Sequence, residues 1–526
     1  MSTSHTREAN GQRQARVLAF LAKPGVVDSG IPQIHETHIA HVFVGPRRAL
    51  KIKRAIKLDF LDFSTLEQRR AACLRELEIN RPNAPDLYVS AVPIIERTDG
   101  SLSIGGPGVA IEWAVEMRSF AQSDLLSERA RIGMLDRTLM QATADVVCAM
   151  HARAEVRVGV DAVAKMQAIC DEITAICRAS PRLAPHQKVM AFTQAARTAV
   201  AVAAPVLQRR AGQGFVRRCH GDLHLANLVV WQGHPTPFDA LEFSEDMATV
   251  DTLYDLAFLL MDLEHHQQRA AANVVFNRYL WRQGTIDDLQ GLLALPLFLA
   301  CRAGIRALVA VQRAEIADSD DQARAASAAT AQRYLDDAIA YLAPQVPRVI
   351  AIGGLSGSGK TTLATALAPS LGRAPGAVHL RSDLERKAMM GVDETVRLPE
   401  ASYTAESANA VYERVFTRAQ AGLAAGHSVV VDAVFSTQAE RCRIAEIARH
   451  AGASFDGLWL EASPDVLKSR VAQRVGDASD ATPQVVERQL RQTHRPLEWQ
   501  ILPTIGAPGK IAAEAAAILG LDPCAE

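Results

Sequence analysis

Arg348-Val349-Ile350-Ala351-Ile352 runs through Gly353 into Gly354-Leu355-Ser356-Gly357-Ser358-Gly359-Lys360-Thr361, and Thr362-Leu363-Ala364-Thr365-Ala366-Leu367 then opens a helical pattern. A β-rich run, a GxxxxGK[ST] loop and a helix start, in that order, make a phosphate-binding loop. The glycines let successive backbone N–H groups point inward at phosphate oxygens, and the helix N-terminus adds positive dipole. Lys360 is placed to reach the β- and γ-phosphates of ATP, as both a binding and a catalytic group, and Thr361 offers a hydroxyl to Mg2+. The expected cofactor-binding set is Gly354, Leu355, Ser356, Gly357, Ser358, Gly359, Lys360, Thr361 and Thr362.

Strands and helices alternate from 348 to the end, which implies a parallel α/β sheet of the P-loop NTPase type. In Leu380-Arg381-Ser382-Asp383-Leu384-Glu385-Arg386-Lys387 a strand ends at Ser382 and a helix follows, so Asp383 and Arg386 share a face of its first turn. This resembles the substrate motif of P-loop kinases such as polynucleotide kinase and chloramphenicol phosphotransferase. That likeness implies Asp383 as general base for an acceptor hydroxyl and Arg386 as a substrate or phosphate ligand. Ser428–Val431 leads into Asp432, an acidic residue at the end of a buried strand and the expected carboxylate of the Mg2+ site. Arg470 and Arg474, four apart on a helix over 464–474, precede the polar stretch Gly476–Thr482, which reads as mobile. In nucleoside- and nucleotide-kinase-like proteins such arginines form a lid over the phosphates.

Upstream, His220-Gly221-Asp222-Leu223-His224-Leu225-Ala226-Asn227 places an Asn five residues after an Asp, the spacing of a protein-kinase catalytic loop. Asp222 would accept the proton of an attacking hydroxyl, and Asn227 would hold a metal. A hairpin of 228–231 and 236–240 about the turn at 232–235 brings Asp239 beside Asn227, giving two oxygen ligands suited to Mg2+. The region resembles the aminoglycoside phosphotransferase family, a branch of the bilobal protein-kinase-like fold. More narrowly it is similar to bacterial proteins that fuse such a domain to a C-terminal P-loop domain, with supporting text at Phe60-Leu61-Asp62-Phe63-Ser64, Ala84-Pro85-Asp86-Leu87-Tyr88 and Asp255-Leu256-Ala257-Phe258-Leu259. The resemblance implies a strand lysine paired with a helix glutamate: Lys51, with Lys53 as alternative, and Glu76, with Glu78 as second choice. It also puts the adenine-holding hinge at Glu112–Met117. No GxGxxG loop occurs near 38–46 and no acidic drug pocket is evident, so the family name does not name the substrate.

With 526 residues, 48% of them apolar, the chain can fill several cores. The expected division is a disordered tail over 1–15, a kinase-like α+β domain over 16–343, a linker at 344–347 (Pro344-Gln345-Val346-Pro347) and a P-loop domain over 348–526 that folds on its own. A net charge of −1 leaves no electrostatic footprint for nucleic acid or an anionic membrane. Eight cysteines without a CxxC pair fit reduced thiols in the cytoplasm, and the polar N-terminus lacks a signal-peptide core. No apolar run near ~18 residues is visible, so no membrane span is expected. The expected function is a bifunctional, Mg2+- and ATP-dependent phosphotransferase acting on hydroxyl groups of small molecules. The rivals are a regulatory ATP-binding role for one domain and a polynucleotide 5′-kinase-like C-terminal domain. Oligomeric state stays open.

Overall fold

In a computed structural model of the chain the described residues are 2–58, 61–181, 183–316, 321–474, 476–493, 496 and 498–521; Phe60 and Cys524 lie outside them. The contacts define two compact units, one of residues 1–135, 149–157 and 216–255, the other of 136–148, 158–215 and 256–526.

The first unit carries helix α1 (Ser2–Leu21), strands β1 (Gln33–Glu36), β2 (Ala40–Val44) and β3 (Arg48–Lys53), helix α2 (Leu66–Asn80), and strands β4 (Tyr88–Glu96), β5 (Leu102–Ile104) and β6 (Val109–Arg118). The strands form one antiparallel sheet in the order β1-β2-β3-β6-β4-β5. Period-2 alternation sorts β3 between two faces. Leu50 and Ile52 pack with Val17 and Leu21 of α1. Ala49, Lys51 and Lys53 face the other way, where α2 packs through Cys73 and Leu77. The tail expected over 1–15 falls within α1, and Gln14 donates to the Lys53 carbonyl and to Glu112, each at 2.9 Å. The capping box of α2 is Thr65 with Gln68. The hairpin of β7 (Leu228–Trp231) and β8 (His234–Pro237) completes the unit's functional part, with Leu228 opposite Pro237.

The second unit combines helices with a parallel sheet. Its helices include the larger parts of α3 (Arg137–Arg153) and α6 (Thr252–His265), together with α4 (Ala162–Ala179), α5 (His186–Gly212), α7 (Arg269–Gln283), α8 (Leu295–Ile316) and α9 (Asp321–Leu342). The sheet unit follows as β9 (Arg348–Gly354), α10 (Lys360–Leu367), β10 (Val378–Arg381), α11 (Ser382–Met389), α12 (Ala405–Ala424), β11 (Val429–Asp432), α13 (Gln438–His450), β12 (Ser454–Glu461), α14 (Pro464–Ala472), α15 (Pro483–Gln492), β13 (Gln500–Pro503) and α16 (Pro508–Leu519). All pairings are parallel, in the order β10-β11-β9-β12-β13. Ile350, Ile352, Val430, Leu458 and Leu460 from the strands pack with Leu363, Leu367, Ile511 and Leu519 from α10 and α16 in a dry core. Two helical stretches, 186–212 and 286–315, are long and apolar enough to cross a membrane by length and composition, which the sequence reading did not foresee. The more apolar window of the second is 78% buried inside the protein, and that of the first 39%.

The stretch 343–346 is exposed, as a connection would be, yet the compact units do not divide there. Helix α7 lies along the edge strand β10 and satisfies its backbone. Asn277 Oδ1 accepts from the His379 N–H at 2.7 Å, and its Nδ2 donates to the Ala377 carbonyl at 3.1 Å. One turn earlier, Asn273 donates to the carbonyls of Pro375 and Ala377 at 3.0 and 3.1 Å. Arg269 donates to those of Pro369 and Gly372 at 2.6 and 2.7 Å. An uncovered sheet edge is a template for unwanted pairing, and α7 removes that edge. Asn277→Ala should therefore destabilise the protein by about 1–3 kcal/mol, because it strips partners from part-buried backbone groups. A lower urea midpoint checks this, and an unchanged midpoint contradicts it. The fragment 346–526, expected from its sequence to fold alone, should partition into aggregates where the full chain stays in solution.

Candidate functional site

The C-terminal ends of β9, β10 and β11 gather the second unit's charged residues. Gly354 ends β9, and the loop 355–359 leads into α10 with Lys360 and Thr361 in its first turn. Gly357 has φ +87°, and a Cβ there would lie 2.6 Å from the Leu467 carbonyl oxygen, so only glycine fits between the loop and α14. The parallel register sets Ile352 beside Asp432, which brings the Asp432 carboxylate onto the Thr361 hydroxyl as acceptor. Burial raises Asp432, but His379, Lys360 and Arg381 outweigh it and hold the carboxylate at about 2. Asp383, at the start of α11, is pushed up from the usual carboxylate range by burial and by the like charge of Asp432. Lys360 is pulled down by burial, against the attraction of Asp432 and Asp383, and its ammonium donates to the Leu355 carbonyl at 3.1 Å. The Ser358 hydroxyl is buried in the loop without a partner, and the Ser356 N–H donates to Gln489 of α15 at 2.8 Å. A glycine cradle, an orphaned hydroxyl and an all-oxygen donor pair of Thr361 and Asp432 fit a Mg2+-bound polyphosphate.

The other candidates take more specific places. Arg386 donates to the Ser402 carbonyl at 3.1 Å and the Ser407 hydroxyl at 2.9 Å, and stacks over Tyr403. Its partners therefore lie in the 402–407 segment. Arg470 donates to the carbonyls of Gly357 at 3.4 Å and Thr504 at 2.9 Å, beside the phosphate loop. Helix α14 ends at Ala472, so Arg474 lies past it, where it pairs with Asp477 at 3.4 Å. The stretch 476–482 is tied down rather than loose: Asp480 accepts from Lys387 at 2.7 Å, Tyr403 at 2.6 Å and the Leu398 N–H at 3.0 Å. Thr362 is exposed on α10.

In the first unit Lys51, Glu76 and Asp239 meet. Lys51 Nζ stands 3.0 Å from Glu76 and also contacts Asp239. Lys53 shares the face, 2.5 Å from Glu76 and in contact with Glu242, but its side chain is fully buried, so only Lys51 opens toward Asp239. Burial alone would raise Glu76; Lys51 and Lys53 overcome it and hold the carboxyl at about 2. Glu78 is exposed and pairs with Arg75 instead. The hairpin sets Asn227 beside Phe238, whose N–H donates to the Asn227 carbonyl at 3.0 Å. Asn227 Nδ2 donates to the Asp222 carboxylate at 2.9 Å. Asp239 holds a left-handed φ of +60°, fixed by its N–H donating to the Tyr88 hydroxyl and by the Ala240 N–H donating to Asn80 at 2.9 Å. Glu112–Met117 is not a free hinge. It lies within β6, where Ala114–Met117 pair with both β3 and β4, and Glu112 and Trp113 pair with β4.

Residues 349–496 match the family model described as an AAA domain. The C-terminal portion is a P-loop domain. Along most of its length the chain is similar to uncharacterized protein Rv2004c of Mycobacterium tuberculosis, at 26% identity over 88% of this chain and 90% of the relative. Among solved structures it is similar to a gluconokinase from Sinorhizobium meliloti 1021, at 22% identity and TM-score 0.24, covering 34% of this chain and 93% of that one. The Mycobacterium tuberculosis APS kinase CysC in complex with AMPPNP and APS matches at 18% identity and TM-score 0.25, covering 34% and 99%. A Plasmodium vivax ethanolamine kinase matches at 11% identity and TM-score 0.33, covering 57% and 81%.

Several residues at these sites escaped the sequence reading. His379 and Arg381 both lie 3.9 Å from Asp432, and Arg381 also meets Asp477 at 3.2 Å. Two polar residues at period 2 on a short strand were the available signal. Asn80 follows Glu76 by one turn of α2, which was legible as a shared face. Asp255 accepts the N–H groups of His220 and Gly221 at 3.2 and 2.8 Å and meets His151 at 3.1 Å, a contact no spacing announces. The Glu76 cluster yields a test. A carboxyl depressed to about 2 contributes stability that is present above its unfolded value near ~4.3 and is lost as pH falls through about 2. Glu76→Gln, which removes the carboxylate shared by two buried lysines, should cost about 3–5 kcal/mol at neutral pH and flatten that acid limb. Urea unfolding across pH reads both, and equal losses in Glu76→Gln and the exposed Glu78→Gln would contradict the assignment.

Proposed function

We propose that the chain is a bifunctional phosphotransferase with one ATP–Mg2+ site in each unit, each passing a γ-phosphoryl group to a hydroxyl of a small molecule, and that the first unit is an aminoglycoside-phosphotransferase-like kinase domain. Each unit groups a lysine with carboxylates, and this supports the reading. In the first unit Lys51 contacts Asp239 and Glu76, and Asn227 donates to Asp222; in the second Thr361 donates to Asp432, and both Asp432 and Asp383 attract Lys360. ATP supplies the phosphoryl group and Mg2+ neutralises its oxygens. Thr361 and Asp432 would hold the metal in the second unit, Asn227 and Asp239 in the first. Lys360 and Lys51 offset phosphate charge. Asp383, whose raised proton affinity suits a base, and Asp222 take the acceptor proton.

A second reading makes the P-loop site regulatory. It is favoured by Lys360 and the Ser356 N–H being engaged by the protein's own Leu355 and Gln489. Turnover separates the two. Asp222→Asn should abolish transfer in the first unit and spare Mg-ATP binding, whereas Asp239→Ala should weaken that binding. Asp383→Ala should lose acceptor-stimulated turnover in the P-loop site and keep ATP binding, while Lys360→Ala should lose both. A screen of metabolite extracts with labelled ATP, read by product labelling and calorimetry, checks these outcomes. Wild-type labelling by Asp383→Ala would leave the P-loop site as a nucleotide switch.

A further inference from the structure

The second unit contains a cavity of about 70 Å³ between α7, the start of α3 and the edge strand β10, lined among others by Arg137, Asn277, Trp281, Thr365, His379 and Arg381. That is room for a few waters or one tetrahedral oxyanion. Its cations are unequally paired. Arg278 is neutralised by Asp145 at 2.7 Å and Glu394 at 2.6 Å, and Arg418 by Glu385 at 3.1 Å. Arg137 meets only the Thr365 hydroxyl, at 3.4 Å, and no carboxylate among the described residues pairs with it. Arg381 meets Asp477 at 3.2 Å and stands 3.9 Å from Asp432 through Nε, which is buried without a hydrogen-bond partner among the described residues. His379 lines the same space with its side chain 8% exposed and its Nε2 3.9 Å from Asp432, without a hydrogen-bond partner among the described residues. Desolvation and the like charge of Arg381 pull Arg137 down against the attraction of Glu394 and Asp477, so an anion between the two arginines would relieve an existing repulsion.

We propose that this cavity is a subsite for an oxyanion, the phosphate monoester group of an acceptor whose hydroxyl is presented at Asp383. Its walls join the two chain segments: Arg137, Asn277 and Trp281 come from helices outside the P-loop match, and His379 and Arg381 from β10 inside it. Arg381 and His379 separate the cavity from Asp432, and Asp383 follows Arg381 by two residues, so an acceptor anchored by its phosphate reaches toward the base. Arginine suits this task because its planar fork matches phosphate oxygens. The acceptor role rests on the proposed function; the binding of the anion does not.

The test uses the full chain with Mg2+ and AMPPNP at saturation, so that the phosphate loop is filled. Inorganic phosphate, glycerol 3-phosphate and glycerol are titrated by calorimetry. Phosphate and glycerol 3-phosphate should bind and glycerol should not. Arg137→Glu, and Gln141→Glu in the same lining, should each weaken anion binding by about tenfold or more, Arg137→Lys should retain most of it, and AMPPNP affinity should stay unchanged. No anion binding by the wild type, or wild-type anion binding by both Arg137→Glu and Gln141→Glu, overturns the proposal. Anion binding that responds to these variants, in a chain that nevertheless transfers no phosphoryl group, upholds the subsite and removes the kinase reading.

Discussion

The side chain of Asn277 holds the edge of the parallel sheet on both of its polar sides, accepting from His379 and donating to Ala377. Strand β10 is only four residues long, and its other neighbour is β11. Without α7 its outer backbone groups would face water or another chain. With α7 in place the strand's end is fixed, and with it the direction of Arg381 and the start of α11 that carries Asp383. The acceptor side of the P-loop site thus depends on a helix more than sixty residues upstream of the phosphate loop in the chain.

Both candidate sites sort their carboxylates by environment. Asp432 is held low by surrounding cations while Asp383 is pushed up by burial and by Asp432 itself. In the first unit Glu76 is held low between two lysines, while burial raises Glu242 despite Lys53. Neighbouring acids driven apart in proton affinity can divide labour, one staying charged to hold a cation and the other exchanging a proton. In the proposed reading the low-affinity acid of the P-loop site serves Mg2+ and the high-affinity one serves the acceptor.

Much of this was legible in the sequence, for local reasons. The phosphate loop, the strand ending at Asp432 and the hairpin that follows Asn227 come from glycines, period-2 runs and turn residues close in the chain, although the register sets Asn227 beside Phe238 rather than Asp239. Lys51 and Glu76 followed from the family resemblance, and the alternation that points Lys51 and Lys53 at one helix was readable too. The long-range contacts were not legible. The Pro344–Pro347 stretch reads as a domain boundary, and the asparagines of α7 bond to backbone that lies beyond it. Glu112–Met117 carried no mark of being a central rather than a terminal strand segment. Arg386 shares a helix face with Asp383 as expected, yet Ser402 and Ser407, which helical spacing cannot reveal, take its guanidinium.

The central claim is two nucleotide sites in one chain, and binding stoichiometry addresses it directly. Calorimetric titration of the full chain with AMPPNP and Mg2+ should give two sites. Lys360→Ala and Asp239→Ala should each leave one, and the double variant none. A single site in the wild type, abolished by Lys360→Ala alone, would contradict the account and leave the Lys51, Glu76 and Asp239 cluster as a structural ion network.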